Sequence, residues 1–527
     1  MPMLPVPNAG SVGVIRDLSQ HELPQNAWTD ASNIRFLDGY CYQFYGHGQV
    51  YGTPSVVPFY TAPAIGIDGT RYWIYAGEKK IYVTYITGGV ATHTNITRQT
   101  AGNDVDYSGV RNAWTSTSLS GIPILNPGNK IDPPQRWSLN PAQRAQMLDN
   151  WPSSTYCKSM RAYKVFLVAL GVTTAGGDFP YMVKWSTSAD PGAVPSTWDP
   201  TDATELAGQV DLAEGGDQIV DGWTLGDSLI IYKELSTWRM NFIGGQDVMG
   251  FQKIFGDSGV LNRNCVVEIK VDGAPALHFV LTKDDVIVHN GSVITQVLDK
   301  QARRALFQDM DAEATDKTFV FKNPFLNEVF VCYPSIGSSV PNKALVWNYK
   351  DRTVSYRTIP NLNHANFGSV DNTLNGTWDA DGDPWSADLT AWNGPDFTPN
   401  AARVMMASND TKFYLLDSSA SFDGLRPVSY LERVGLSLGS DERRKLIRGI
   451  RPRITGNTGD TVIVKIGVQE NAYEAPVYTS MTYTIGQTIQ CDCLVSGRYC
   501  AIRFEGGTAY NWRLDSYDLD VTGAGKW

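Results

Sequence analysis

The chain has 527 residues and a net charge of −10 at neutral pH, with 19% charged and 11% aromatic residues. That length exceeds one ordinary hydrophobic core, so two to four structural units are expected. With 44 basic against 54 acidic residues, tight nucleic-acid gripping is disfavoured, because such affinity comes from a basic face that neutralises phosphate. An acidic surface past which DNA slides is compatible with the same balance. Tryptophan, tyrosine and glycine sit beside short runs rich in Val, Ile and Thr, a vocabulary suited to half-buried pleated surfaces.

From the N-terminus, Met1-Pro2-Met3-Leu4-Pro5-Val6-Pro7 lacks the basic and apolar regions of a secretory signal. No apolar run reaches the roughly 18 residues of a membrane span, so a soluble protein used without export is expected. Ile34 and Phe36 alternate with polar neighbours, Asp38-Gly39 offers the two positive-φ positions of a type I′ turn, and Tyr40, Tyr42 and Phe44 alternate on the return; this predicts a β-hairpin. Helices are few. Asn140 followed by Pro141 predicts one over 141–148, and Asp299 caps a second over 299–309. Between them, groups of two to four short strands recur every fifty to ninety residues or so, the pattern of a β-propeller with insertions. Six or seven irregular blades are expected.

Beyond about residue 430 longer alternating strands begin, at 431–438, 460–466, 499–504 and 512–521, which predict a β-sandwich-like unit. In the last, aspartates alternate with Leu514, Tyr517 and Leu519, as in an edge strand with one wet face. The chain is thus read as all-β: an N-terminal arm and hairpin over 1–55, a β-propeller with insertions over 56–430, and the β-sandwich-like unit over 431–527.

Candidate chemistry is sparse. Seven scattered cysteines do not form a disulfide framework and point to reduced, cytoplasmic assembly. Cys491, Cys493 and Cys500 lack a fourth ligand for zinc, and Cys491 and Cys493 are expected on one strand face as small apolar groups. Residues 188–192 with Thr197-Trp198 resemble a stretched Asp-box, a folding turn of sialidase-type propellers. Asp379, Asp381 and Asp383 form the best carboxylate cluster for Ca²⁺, although Asp-Gly runs in long loops are mostly turns. Arg443, Arg444, Lys445, Arg448 and Arg451 form the most basic stretch, read as a contact to an acidic face of a neighbouring subunit. Its sidedness is poor, since Leu446, Arg448, Ile450 and Pro452 fall on one side of a regular strand. The six histidines lack any metal, nucleophile-elbow or P-loop context, and no catalytic residue or cofactor is assigned. A carboxylate pair for glycoside hydrolysis needs only two acidic residues brought together by the fold, and 54 are present.

One phrase is more specific. Ala27-Trp28-Thr29-Asp30-Ala31-Ser32-Asn33-Ile34-Arg35-Phe36-Leu37-Asp38-Gly39, after Leu23-Pro24, resembles the opening of the tail hub or nozzle proteins of short-tailed bacteriophages, similar to packaged-DNA stabilisation proteins. Residues 215–222, 225–229, 323–329 and 344–348 resemble the same family, which covers 20–430 intermittently. The resemblance implies a propeller that closes into a ring, of six copies, beneath the portal and adaptor. The lumen of that ring would continue the DNA channel, plugged by a needle until ejection, with tail fibres as further partners and the virion tail as location. Contacts between copies are expected in 1–55 and 431–527, and removal of residues 1–22 is expected to cripple assembly more than folding. The other readings are a glycan-hydrolysing tail propeller and a non-catalytic glycan-binding one.

Overall fold

The computed structural model describes residues 3–525 apart from 17, 110, 112, 272, 371–401, 440 and 441. Its fold is a β-propeller joined to a β-sandwich. Among the described residues seven four-stranded antiparallel sheets follow one another round a ring. Blades one to six begin with the strands Tyr60–Ile65, Thr115–Leu119, Tyr156–Tyr163, Ile219–Leu225, Val266–Ile269 and Phe319–Asn323. Blade seven begins with Leu362–Ser369, continues through Ala402–Ser408 and Lys412–Ser419, and takes its outer strand, Gly46–Val50, from the other end of the propeller sequence. That strand closes the ring by hydrogen bonding.

Each sheet has two apolar faces, which explains why the strands lack clean alternation. Clusters of buried side chains therefore lie between blades: Tyr72, Trp114 and Trp137 between blades one and two, Phe330, Val346 and Met406 between six and seven, and Trp73, Tyr75 and Phe413 between seven and one. Tyr75 meets Phe413 edge to face with centroids 5.1 Å apart, the preferred geometry for aromatic pairs.

The sandwich is built from both ends of the chain. One sheet runs Ile34–Leu37, Tyr40–Gln43, Arg513–Gly523, Lys445–Thr455, Cys491–Gly497, with Leu4–Val6 also on Arg513–Gly523. The other runs Asp30–Ser32, Tyr430–Leu436, Tyr499–Gly506, Thr461–Gln469, Val477–Thr484. Trp28, Phe504, Trp512 and Tyr517 fill the space between them, and the Trp28 indole N–H donates to the Ala9 carbonyl at 2.7 Å.

Three expectations change. The helix predicted over 141–148 is a turn that leads into Gln146–Met147, the outer strand of blade two. The Asn140 side chain accepts from the Ala142 amide at 3.0 Å, so it caps a turn; the demand of the blade for a fourth strand overrides the local signal. The second predicted helix forms, as Lys300–Asp309. The last strand, expected at an edge, is central, flanked by Lys445–Thr455 on one side and by Leu4–Val6 and Tyr40–Gln43 on the other. The N-terminal arm, in its described residues, packs into the sandwich: Val6 and Ala9 are buried in its core. Among the described residues no helix is long and apolar enough to cross a membrane.

Candidate functional site

A network of buried polar groups surrounds the propeller axis. In blade three Arg161 clamps Asp221 of blade four through Nε and Nη2, at 2.9 and 2.6 Å, while its other terminal nitrogen donates to the Ser116 carbonyl of blade two at 3.0 Å. Ser159 donates to the same carboxylate at 2.6 Å. Burial opposes the charge of Asp221, yet Arg161 and these donors hold its carboxyl below the ordinary range. The indole of Trp223 lies under the Arg161 guanidinium at 4.5 Å.

The residues that enter blade five reach across the axis. Arg263 donates to the carbonyls of Ala113 and Gly128 beside blade two, and the Asn264 side chain donates to the Trp114 carbonyl at 3.3 Å. The Asn264 amide points at Asp221, and its carbonyl accepts from Val320 of blade six at 2.9 Å. Asn264 adopts φ 60°, a left-handed conformation that asparagine tolerates better than most residues. At Gly128 (φ 64°) a Cβ would stand 2.1 Å from the Ala113 carbonyl and 2.3 Å from the Arg263 guanidinium, so glycine makes the crossing possible. From blade seven, His364 Nδ1 accepts from the Thr61 amide of blade one at 3.3 Å. Tyr60 completes the circuit through Ser116 at 2.8 Å.

A second buried ionic group joins the propeller to the sandwich. Arg35, on the sandwich hairpin, reaches Glu328 of blade six at 2.6 Å and Asp417 of blade seven at 2.6 Å. Arg357 reaches the other oxygen of Asp417 at 3.0 Å, and Phe44 lies beneath both guanidinium groups. Burial lifts the Glu328 carboxyl to about 7 against the pull of Arg35. Beside it a cleft of about 350 Å³ between the two units is lined by Arg16, Asp30, Asp309, Tyr333, Tyr356 and Tyr430.

The predicted site residues fare differently. Asp379, Asp381 and Asp383 lie outside the described residues. The basic stretch lies on and just before Lys445–Thr455, where a β-bulge between Ile447 and Gly449 shifts the register. The bulge turns Ile447, Ile450, Pro452 and Ile454 inward and leaves Arg448, Arg451 and Arg453 outward, which resolves the poor sidedness of a regular strand. Arg443 is exposed, and Arg444 pairs with Glu470 at 2.7 Å. Lys445 is buried, with Nζ on the Arg498 carbonyl at 2.6 Å, so it does not belong to that exposed face. Cys491 is buried and Cys493 half-buried, its thiol near the Ile447 carbonyl. The Asp-box-like segment is a turn between the third and fourth strands of blade three, with Trp198 packed edge to face on Trp151 at 4.6 Å.

Sequence reasoning missed Arg161, Arg263, Asn264 and His364 as a group, since their meeting depends on ring closure. Two of their class were in view: Asp221 and Glu328 fall within the phrases 215–222 and 323–329.

No family model and no curated protein matches the chain. Among solved structures it is similar to the WD40 domain of Neurospora crassa Pan2, at 10% identity over 71% of this chain and 94% of that one, with a TM-score of 0.35. It is also similar to the exo-beta-1,3-galactanase Pc1,3Gal43A of Phanerochaete chrysosporium, at 9% identity over 90% and 100% of the two chains, with a TM-score of 0.24. Similarities of this size carry no functional argument, and the propeller is read from its own sheets.

Proposed function

We propose that this chain is a structural subunit of a short bacteriophage tail, a hub or nozzle ring beneath the portal and adaptor. In this reading it lines the distal DNA channel, helps retain the packaged double-stranded DNA and passes it at ejection. Six copies form the ring, tail fibres and a needle or plug are its neighbours, and the protein assembles in the host cytoplasm into the virion tail.

One observation carries the reading: residues of the phage-like phrases hold the architecture together. Trp28 fills the sandwich core, and Asn33 donates to the Val428 carbonyl at 2.8 Å. Arg35 and Glu328 lock the two units, Asp38 and Gly39 take the two positive φ values of the hairpin turn, and Asp221 anchors the axis. A sequence signature spent on rigidity suits a part that bears load better than one that turns over substrate. Ring closure needs heterologous contacts, and the outward Arg448 and Arg451 supply basic side chains to meet an acidic neighbour in a protein of net charge −10. The test is the protein content of purified virions after DNA release: the reading expects this chain in the tail fraction, and its absence from virions would overturn it.

A further inference from the structure

The axial mouth holds more hydrogen-bond donors and positive charge than its own residues satisfy. A small recess of about 20 Å³, open to solvent, lies where the first strands of the blades begin, and Arg111, Trp114, Arg263, Asp316, Lys317 and His364 line it. Arg263 is the innermost charge. Among the described residues its hydrogen bonds go to the carbonyls of Ala113 and Gly128, both from one terminal nitrogen. Among the described residues no carboxylate forms an ion pair with it, because Asp221, the closest in influence, is clamped by Arg161. A guanidinium has five N–H donors in a planar fork, so part of the fork is unspent. Removing such a charge from water without a counter-charge is costly.

The surrounding groups have the same bias. The Lys317 ammonium bonds only a neutral carbonyl, that of Ser339, at 2.6 Å. Arg111 is exposed and only loosely paired, 3.9 Å from Glu78. At His364 the Thr61 amide donates to Nδ1, which puts the proton of the neutral ring on Nε2 and makes that nitrogen a donor. Burial and the Arg161 charge hold this imidazole down to about 3, so it donates without adding charge near neutrality. Asp316 is the one acidic group of the lining, and it is exposed.

We propose that the mouth of the propeller axis binds one compact oxyanion, a phosphate or carboxylate group, on the free edge of the Arg263 guanidinium with Arg111, Lys317 and His364 Nε2–H around it. The planar fork matches two oxygens of such a group, and the recess is open to solvent, so the anion sits at its rim.

The test is thermal unfolding and calorimetric titration of the full chain with inorganic phosphate, glycerol phosphate and acetate, each against chloride at equal ionic strength. Saturable stabilisation by phosphate or acetate beyond chloride is expected, since a ligand of the folded state raises the midpoint with concentration. Glycerol phosphate binding as tightly as inorganic phosphate would assign the site to phosphate esters; weaker binding would assign it to the free ion. Arg263→Gln is expected to abolish the effect. Should that variant fail to fold, Arg111→Gln with Lys317→Gln, both outside the core, is expected to weaken binding about tenfold or more. Equal shifts by all the anions and chloride, or undiminished binding in the double variant, would overturn the proposal and leave Arg263 as a staple between blades.

Discussion

Arg35 and Glu328 stand 293 positions apart in sequence, yet the guanidinium donates to both carboxylate oxygens, at 2.6 and 3.1 Å. Through this pair the sandwich hairpin grips blade six, and through Asp417 it grips blade seven beside the closing strand. The two units are thus fixed at the seam of the ring.

Removal of one partner should therefore be felt in both units. Glu328→Ala leaves Arg35 with Asp417 alone, which Arg357 already engages, and should cost about 3–5 kcal/mol, as expected when a buried pair is broken. Denaturant unfolding followed by tryptophan fluorescence checks this, and a loss under about 1 kcal/mol would mean that water reaches the group.

The N-terminal strand makes a second case. Deletion of residues 1–22 removes Leu4–Val6 from the last strand, takes Val6 and Ala9 out of the core, and strips Arg433 of the Gln20 carbonyl. Poor folding of the sandwich is expected, read as lost protease resistance of residues 430–523 in the isolated protein. A deletion variant that folds normally but assembles poorly would restore the expectation that residues 1–22 serve assembly more than folding.

Closure of the ring depends on Gly46. A Cβ there would stand 1.8 Å from the Ser421 carbonyl, so Gly46→Ala must displace the closing strand and should cost about 1–3 kcal/mol, the range for overpacking. Amide hydrogen exchange is expected to rise in Gly46–Val50 and Lys412–Ser419 before it rises in other blades.

Acid should loosen the propeller through its histidines. Gly291 N–H donates to His289 Nδ1, so His289 Nε2–H donates to the Tyr232 oxygen; the Tyr232 hydroxyl then donates to His278 Nδ1, and His278 Nε2–H to the Thr224 carbonyl. Protonation of either ring opposes two donors. Burial holds His278 down to about 4 and His47, His289 and His364 down to about 3, against about 6.5 unfolded. Their folded values are depressed, so their contribution is complete above pH 6.5 and is lost as pH falls toward 4 and 3, by about 1 kcal/mol per histidine at pH 5.5. Urea midpoints at pH 7.5 and 5.5 measure it; equal midpoints would contradict the neutral network.

The predictions also mark what local pattern reveals. The hairpin around Asp38-Gly39 was legible because turn chemistry and alternation lie within about ten residues. The helix at Lys300–Asp309 was legible for a similar reason, with Asp299 at its N-cap position. The place of Arg513–Gly523 was not, because Leu4–Val6 and Tyr40–Gln43, which cover its flank, lie at the opposite end of the chain. The sidedness of Arg448 and Arg451 was hidden by one extra residue, since a bulge reverses every side chain beyond it. The axial group was least legible. Arg161, Asp221, Arg263 and His364 come from four blades, and only closure of the ring makes them neighbours.

The central claim, a structural subunit of a phage tail, is tested most directly by cryo-electron microscopy of particles that co-purify with the tagged protein from infected cells. The account predicts a sixfold ring beneath a portal and adaptor, with each copy a propeller and sandwich fixed through Arg35. Monomers or trimers free of head and tail proteins, together with hydrolysis of host polysaccharide, would contradict it and favour a glycan-active propeller.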